Sequence, residues 1–199
     1  MKTSASKLSM RGLAAVLLML PVLARAQEST TPPPQDEDVN KQAILAGDIF
    51  TGVLPLFTFG KAWLGEDGHE GMKQWVISTA IDEAVVSAAR LGFNHTSWGT
   101  RPNGNGYGFP SGHAGFLYSQ TAFLQYRYGW TWGVPSFVLA TGVNYIRVRY
   151  HKHYWRDVIA GGVMSYALSW PTVSRYDGGG TITPVIDKDE FGIQYEKSF

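Results

Sequence analysis

The stretch Arg101-Pro102-Asn-Gly-Asn-Gly-Tyr-Gly-Phe-Pro110-Ser111-Gly112-His113 joins an arginine, a glycine-rich loop and a histidine at the start of a helical pattern. Each part suits a phosphate-sized anion. Glycines let backbone N–H groups come close to an anion. A helix start presents unpaired N–H groups and partial positive charge. Arginine offers a planar fork that matches phosphate oxygens, and histidine exchanges a proton near neutral pH. A surface turn that merely contains an Arg and a His would look the same.

A second stretch runs Arg147-Val-Arg149-Tyr-His151-Lys-His153-Tyr-Trp-Arg156-Asp157. His153 and Asp157 are four apart, so at a helix start they share a face. A carboxylate on one imidazole nitrogen fixes the tautomer and raises the basicity of the other, which is how a base or nucleophile is oriented. Arg147, six residues earlier, supplies a second anion clamp. The plainer reading is an i,i+4 pair on a surface helix. A zinc site on His151, His153 and Asp157 lacks a clear further ligand, and the surrounding arginines repel a cation.

Taken together, the two stretches resemble the type 2 phosphatidic acid phosphatase (PAP2) superfamily, which includes bacterial acid phosphatases and vanadium haloperoxidases. The pattern has a Lys, six residues, then Arg-Pro; Pro-Ser-Gly-His; and Arg, five residues, His, three residues, Asp. Arg101-Pro102, Pro110–His113, and Arg147, His153 and Asp157 match in order. The resemblance implies metal-independent hydrolysis of a phosphomonoester or pyrophosphate, without a cofactor. It implies His153 as nucleophile, Asp157 as its orienting carboxylate and His113 as acid and then base. Arg101, Arg147, Ser111, Gly112 and Asn94 would hold the phosphate. Asn94 stands where the pattern has its lysine and carries no charge. A non-catalytic phosphate or lipid-headgroup binder of the same fold is the alternative that this departure leaves open.

The elements that must position these residues read as helices. Residues 42–60 are mostly apolar and form a helix that kinks or ends near Pro55; Lys61–Gly71 is a turn. Over 72–92, Ile77, Ile81, Val85 and Ala88 or Ala89 recur at helical spacing, with Lys73, Asp82 and Glu83 on other faces. Asn94–Pro110 is a long loop, a length that is usually functional or disordered. Helices follow over 112–127 with Ser111 as N-cap, over 134–149 with Pro135 in the first turn, and over 154–170, stopping near Pro171. Ala160, Gly161 and Gly162 allow close helix contact.

The tail reads as two strands, 181–186 and 191–195. A hairpin covering the core fits it better than a barrel strand. The expected fold is therefore mainly α. About five core helices place the site between two loop–helix junctions, with a short C-terminal β-hairpin.

Composition narrows the class. The chain has 199 residues, net charge +1 and no cysteine. One domain is the natural size. Bulk charge gives no case for nucleic acid, and disulfides and cysteine nucleophiles are excluded. Lys2, Lys7 and Arg11, the apolar run Leu13–Leu23 and Ala24-Arg25-Ala26 form an export signal over 1–26. Residues 27–41 follow as a proline-rich leader, 42–174 as the phosphatase-like domain and 175–199 as the tail. The expected location is the bacterial periplasm. The partner is a phosphorylated small molecule or lipid; aromatics such as Trp98, Trp130 and Trp132 suit an interfacial substrate. Helix length and dilution by polar residues favour a soluble or peripheral bundle over spanning helices, although both fit.

Overall fold

A computed structural model describes residues 41–65, 68–176, 181–187 and 190–196, with side chains from 44–65 and 69–176. The signal and most of the leader lie outside them. Among the described residues five helices follow in order: α1 (Lys41–Leu64), α2 (Gly68–Phe93), α3 (Gly112–Tyr128), α4 (Trp130–Arg149) and α5 (Trp155–Thr172). The expected mainly helical, five-helix architecture is present.

The backbones of β1 (Thr181–Asp187) and β2 (Glu190–Glu196) pair antiparallel, Thr181 opposite Glu196 and Asp187 opposite Glu190. Residues 188–189, which would join them, lie outside the described residues.

α3 is the central helix and packs against all four others. Its burial is all-round: Ala114, Leu117, Tyr118, Gln120, Thr121, Phe123 and Leu124 are all shielded. Ser111 caps it, its Oγ accepting from the Ala114 N–H at 3.3 Å. Gly129, at φ 85°, ends α3 and allows α4 to begin at once. α4 thus starts at Trp130, four residues before the expected 134, and Pro135 sits inside it. The Ser136 hydroxyl donates to the carbonyls of Trp132 and Gly133, at 2.8 and 2.9 Å.

Pro55 does not end α1, which continues to Leu64. The proline removes one ladder bond. Both halves of the helix are nevertheless held by packing, because Leu54, Thr58 and Ala62 form one buried stripe. α5 stops at Thr172, one residue past Pro171, close to its expected end.

The faces of α2 are the main surprise. The apolar stripe that signals the helix is turned outward: Ile77, Ile81 and Val85 are 42%, 38% and 38% exposed. Ser78, Asp82 and Val86, at 1%, 0% and 1%, face the bundle instead. α4 and α5 repeat this arrangement. Val138 and Leu139 point out while Ser136, Asn144 and Arg147 point in; Val163 and Trp170 point out while Ser165 and Ser169 point in. Small residues let the helix backbones approach. A Cβ on Gly161 would lie 2.8 Å from the Ser111 carbonyl oxygen, and one on Gly162 would lie 2.8 Å from the Tyr118 ring.

Candidate active site

The loop from Asn94 to Pro110 is held by its own backbone. Gly108 N–H donates to the Gly99 carbonyl at 2.7 Å, and Arg101 N–H to the Asn105 carbonyl at 2.8 Å. Tyr107 takes φ 59°, in the left-handed region that disfavours side chains. Its N–H is fixed by Asn94 Oδ1 at 2.8 Å. Asn94 therefore has a structural task here, clamping the loop from the end of α2. A Cβ on Gly106 would come within 2.7 Å of the same oxygen.

The two loop–helix junctions are tied by one bond, Ser111 N–H to the Asp157 carbonyl at 2.9 Å. This bond occupies an N–H expected to face phosphate. At the start of α3 the Ala114 N–H goes to Ser111 Oγ and the Gly115 N–H to the Ser111 carbonyl. The N–H groups of Gly112 and His113 remain, in the orphan positions where an anion binds. The Ser111 hydroxyl is fully buried and, while accepting at the cap, keeps its own proton to donate.

His153 is 2% exposed and Asp157 0%. His153 Nδ1 lies 3.0 Å from the Gly108 carbonyl oxygen and 3.6 Å from Asp157 Oδ2. The expected Asp–His pair is thus adjacent, but the closer partner of Nδ1 is the backbone of the glycine loop. Asp157 Oδ2 also accepts the Tyr154 N–H at 2.9 Å, and Oδ1 faces Arg156 Nε at 3.4 Å. That carboxylate both caps α5 and backs the histidine. His151, at φ 55°, turns the chain just before His153.

His113 opens α3 opposite this group. Burial, then the neighbouring Arg147 and His153, push it down from 6.5 to about 4; Asp48 opposes the shift and Arg90 adds to it. Burial also lowers Arg101, with Arg90 and Arg147 adding to it and Asp157 opposing. His113, His153, Arg101, Arg147 and Asp157 therefore share one electrostatic neighbourhood. The Nε atoms of Arg101 and Arg147 are buried and find no hydrogen-bond partner.

Two residues of this neighbourhood were not singled out from sequence. Asp48, on α1, forms an ion pair with the buried Arg147. In the sequence it is a single acidic residue within the apolar run 42–60. An ionisable group in such a run is itself a pointer to a functional partner. Arg90, in the last turn of α2, lies over Gly112: a Cβ there would be 2.8 Å from its Nη1. Its signal was position, one helical turn before Asn94.

Among the described residues, no three His, Cys, Asp or Glu side chains gather as a metal site.

The family model of the PAP2 superfamily matches residues 74–178, just over half of the chain. The chain is 28% identical over 155 residues to the lipid A 4'-phosphatase of Helicobacter pylori (strain J99 / ATCC 700824). The match covers 72% of this chain and 77% of that protein. No solved structure matches. The chain belongs to the PAP2 superfamily and is a phosphatase.

Proposed function

We propose that this phosphatase removes phosphate from a phosphorylated lipid, as a monoester or a pyrophosphate, through a phosphohistidine on His153. The observation that carries the reading is the contact between His153 Nδ1 and the Gly108 carbonyl. A carbonyl only accepts, so Nδ1 holds the proton and Nε2 keeps its lone pair. Nε2 then attacks phosphorus. The N–P bond forms as the P–O bond to the leaving group breaks, and His113 gives its proton to that oxygen. In the second step His113 takes a proton from water, whose oxygen bonds to phosphorus while the N–P bond breaks. Asp157 offsets the positive charge that His153 acquires. Arg101, Arg147, the Ser111 hydroxyl and the Gly112 and His113 N–H groups hold the non-bridging oxygens. This is preorganised charge stabilisation of phosphoryl transfer.

Support for a lipid comes from outside the motifs. The relative is named for lipid A, a phosphorylated lipid. A groove of about 310 Å³, lined by Phe50, Phe57, Leu117, Trp132, Leu139 and Val143 among others, is almost wholly apolar. Phe50 lies two residues after Asp48 and Val143 four before Arg147, so the groove starts about one helical turn from that ion pair. Outward apolar faces on α1, α2 and α4 suit contact with acyl chains. α1 is also long and apolar enough, over Ile44–Leu64, to cross a membrane. The protein works at a membrane, with residues 1–26 directing it to the periplasmic side.

p-Nitrophenyl phosphate has a good leaving group and needs little acid help. With it, His113→Ala should accumulate an acid-labile, base-stable phosphoenzyme, and His153→Ala should form none. Lipid A and phosphatidate in detergent should release phosphate from wild type only. Absence of turnover on all three substrates sinks the reading.

A further inference from the structure

The site contains one more cation than its motifs supply. The family pattern puts a lysine seven residues before Arg101, where this chain has Asn94. Asn94 Oδ1 is taken by the Tyr107 N–H. One helical turn earlier, Arg90 turns its guanidinium onto the first residue of α3. A Cβ on Gly112 would lie 2.8 Å from Nη1, 3.2 Å from Cζ and 3.4 Å from Nε. Arg90 also passes 5.9 Å from the Tyr107 ring, and its charge acts on both Arg101 and His113. Its Nε is buried and finds no hydrogen-bond partner.

This is a costly place for a cation. The start of α3 carries the positive end of the helix dipole, and the Arg101 charge acts beside it. The carboxylate acting on it is Glu83, seven residues back on the same helix. An anion between Arg90, Arg101, Arg147 and the α3 N-terminus would relieve all of these repulsions together.

We propose that Arg90 is a phosphate ligand that takes over the charge of the missing lysine. The fold brings the start of α3 within reach of position 90, and the arginine guanidinium lies over Gly112. Its fork donates two parallel hydrogen bonds where an ammonium donates as a point charge. Gly112 is then needed for a second reason besides its N–H: any side chain there would displace the guanidinium. The proposal rests on the phosphate-site reading above, and its test separates the two.

The full-length protein in detergent is assayed on p-nitrophenyl phosphate and phosphatidate, with orthovanadate as the competing anion. Arg90→Ala should lower kcat/KM by about 10²-fold and weaken vanadate inhibition, with an unchanged melting temperature. Arg90→Lys should retain part of the activity. Guanidinium ion added to Arg90→Ala should restore part of the activity; a residue that only packs on Gly112 would not be rescued in this way. Wild-type kinetics and vanadate inhibition in Arg90→Ala overturn the proposal. So does a loss that follows the melting temperature and that added guanidinium leaves unrepaired. If wild type hydrolyses nothing, the phosphatase reading fails by itself; Arg90 is then judged on direct orthovanadate binding, which Arg90→Ala must weaken.

Discussion

His113 is poised by its neighbours rather than by its own chemistry. Burial and then Arg147, His153 and Arg90 hold it near 4, so in the free protein it is neutral at pH 6 to 7. An acid must nevertheless be protonated when the leaving oxygen departs. A bound phosphate adds negative charge among the same arginines and raises His113, so binding takes up a proton. Calorimetry of orthovanadate binding near pH 6, in two buffers of different ionisation heat, should show net proton uptake in wild type and none in His113→Asn. The stability effect has the opposite sense. The unfolded chain binds a proton near 6.5 and the fold resists it until about 4. This contribution is therefore complete above pH 6.5 and is lost as pH falls towards 4. The residue types and spacings at 101, 113, 147, 153 and 157 were readable from sequence. The acceptor that sets the His153 tautomer was not, because it is a backbone carbonyl, and every residue has one.

At the scale of elements, the site depends on how closely α3 and α5 approach. Gly161 faces the Ser111 carbonyl, and the Ser111 N–H bonds the Asp157 carbonyl. The two helix starts therefore move as a pair. Gly161→Ala places a methyl 2.8 Å from a backbone oxygen that cannot rotate away. It should destabilise the fold by about 1–3 kcal/mol, read as a lower midpoint in denaturant. It should also lower kcat by separating His113 from His153, with little change for a mutation at the exposed Val163 on the same helix.

The helix signals in the sequence were sound for all five elements; Pro171 marks the end of α5 to within one residue, whereas Pro55 and Pro135 misplace boundaries. Pro55, Pro135 and Pro171 all lie inside helices. A proline costs one ladder bond and local strain, and packing on both sides, as at Leu54 and Thr58, outweighs that cost.

For the whole molecule, the decisive feature is the direction in which the helices face. Period 3.6 in the apolar residues of α2 identified a helix correctly. It carried no information on which medium the apolar stripe meets. The stripe at Ile77, Ile81 and Val85 faces out, and Ser78 and Asp82 face the bundle. In a bilayer apolar outward faces lose nothing, while small and polar residues knit the interior. Ile81→Asp should therefore impair membrane association and shift the protein toward the soluble fraction, with the helical content of that fraction retained. Unchanged partitioning of this variant would count against the membrane reading.

The sequence by itself determined the helical class and the superfamily and named the candidate site residues, because these depend on residue type and spacing along the chain. Only the tertiary structure decided which carbonyl holds His153, that Asp48 pairs with Arg147, that Arg90 stands over Gly112 and which face of α2 is inside. Each of these is a contact between segments far apart in sequence, set by how helices pack and not by any local pattern.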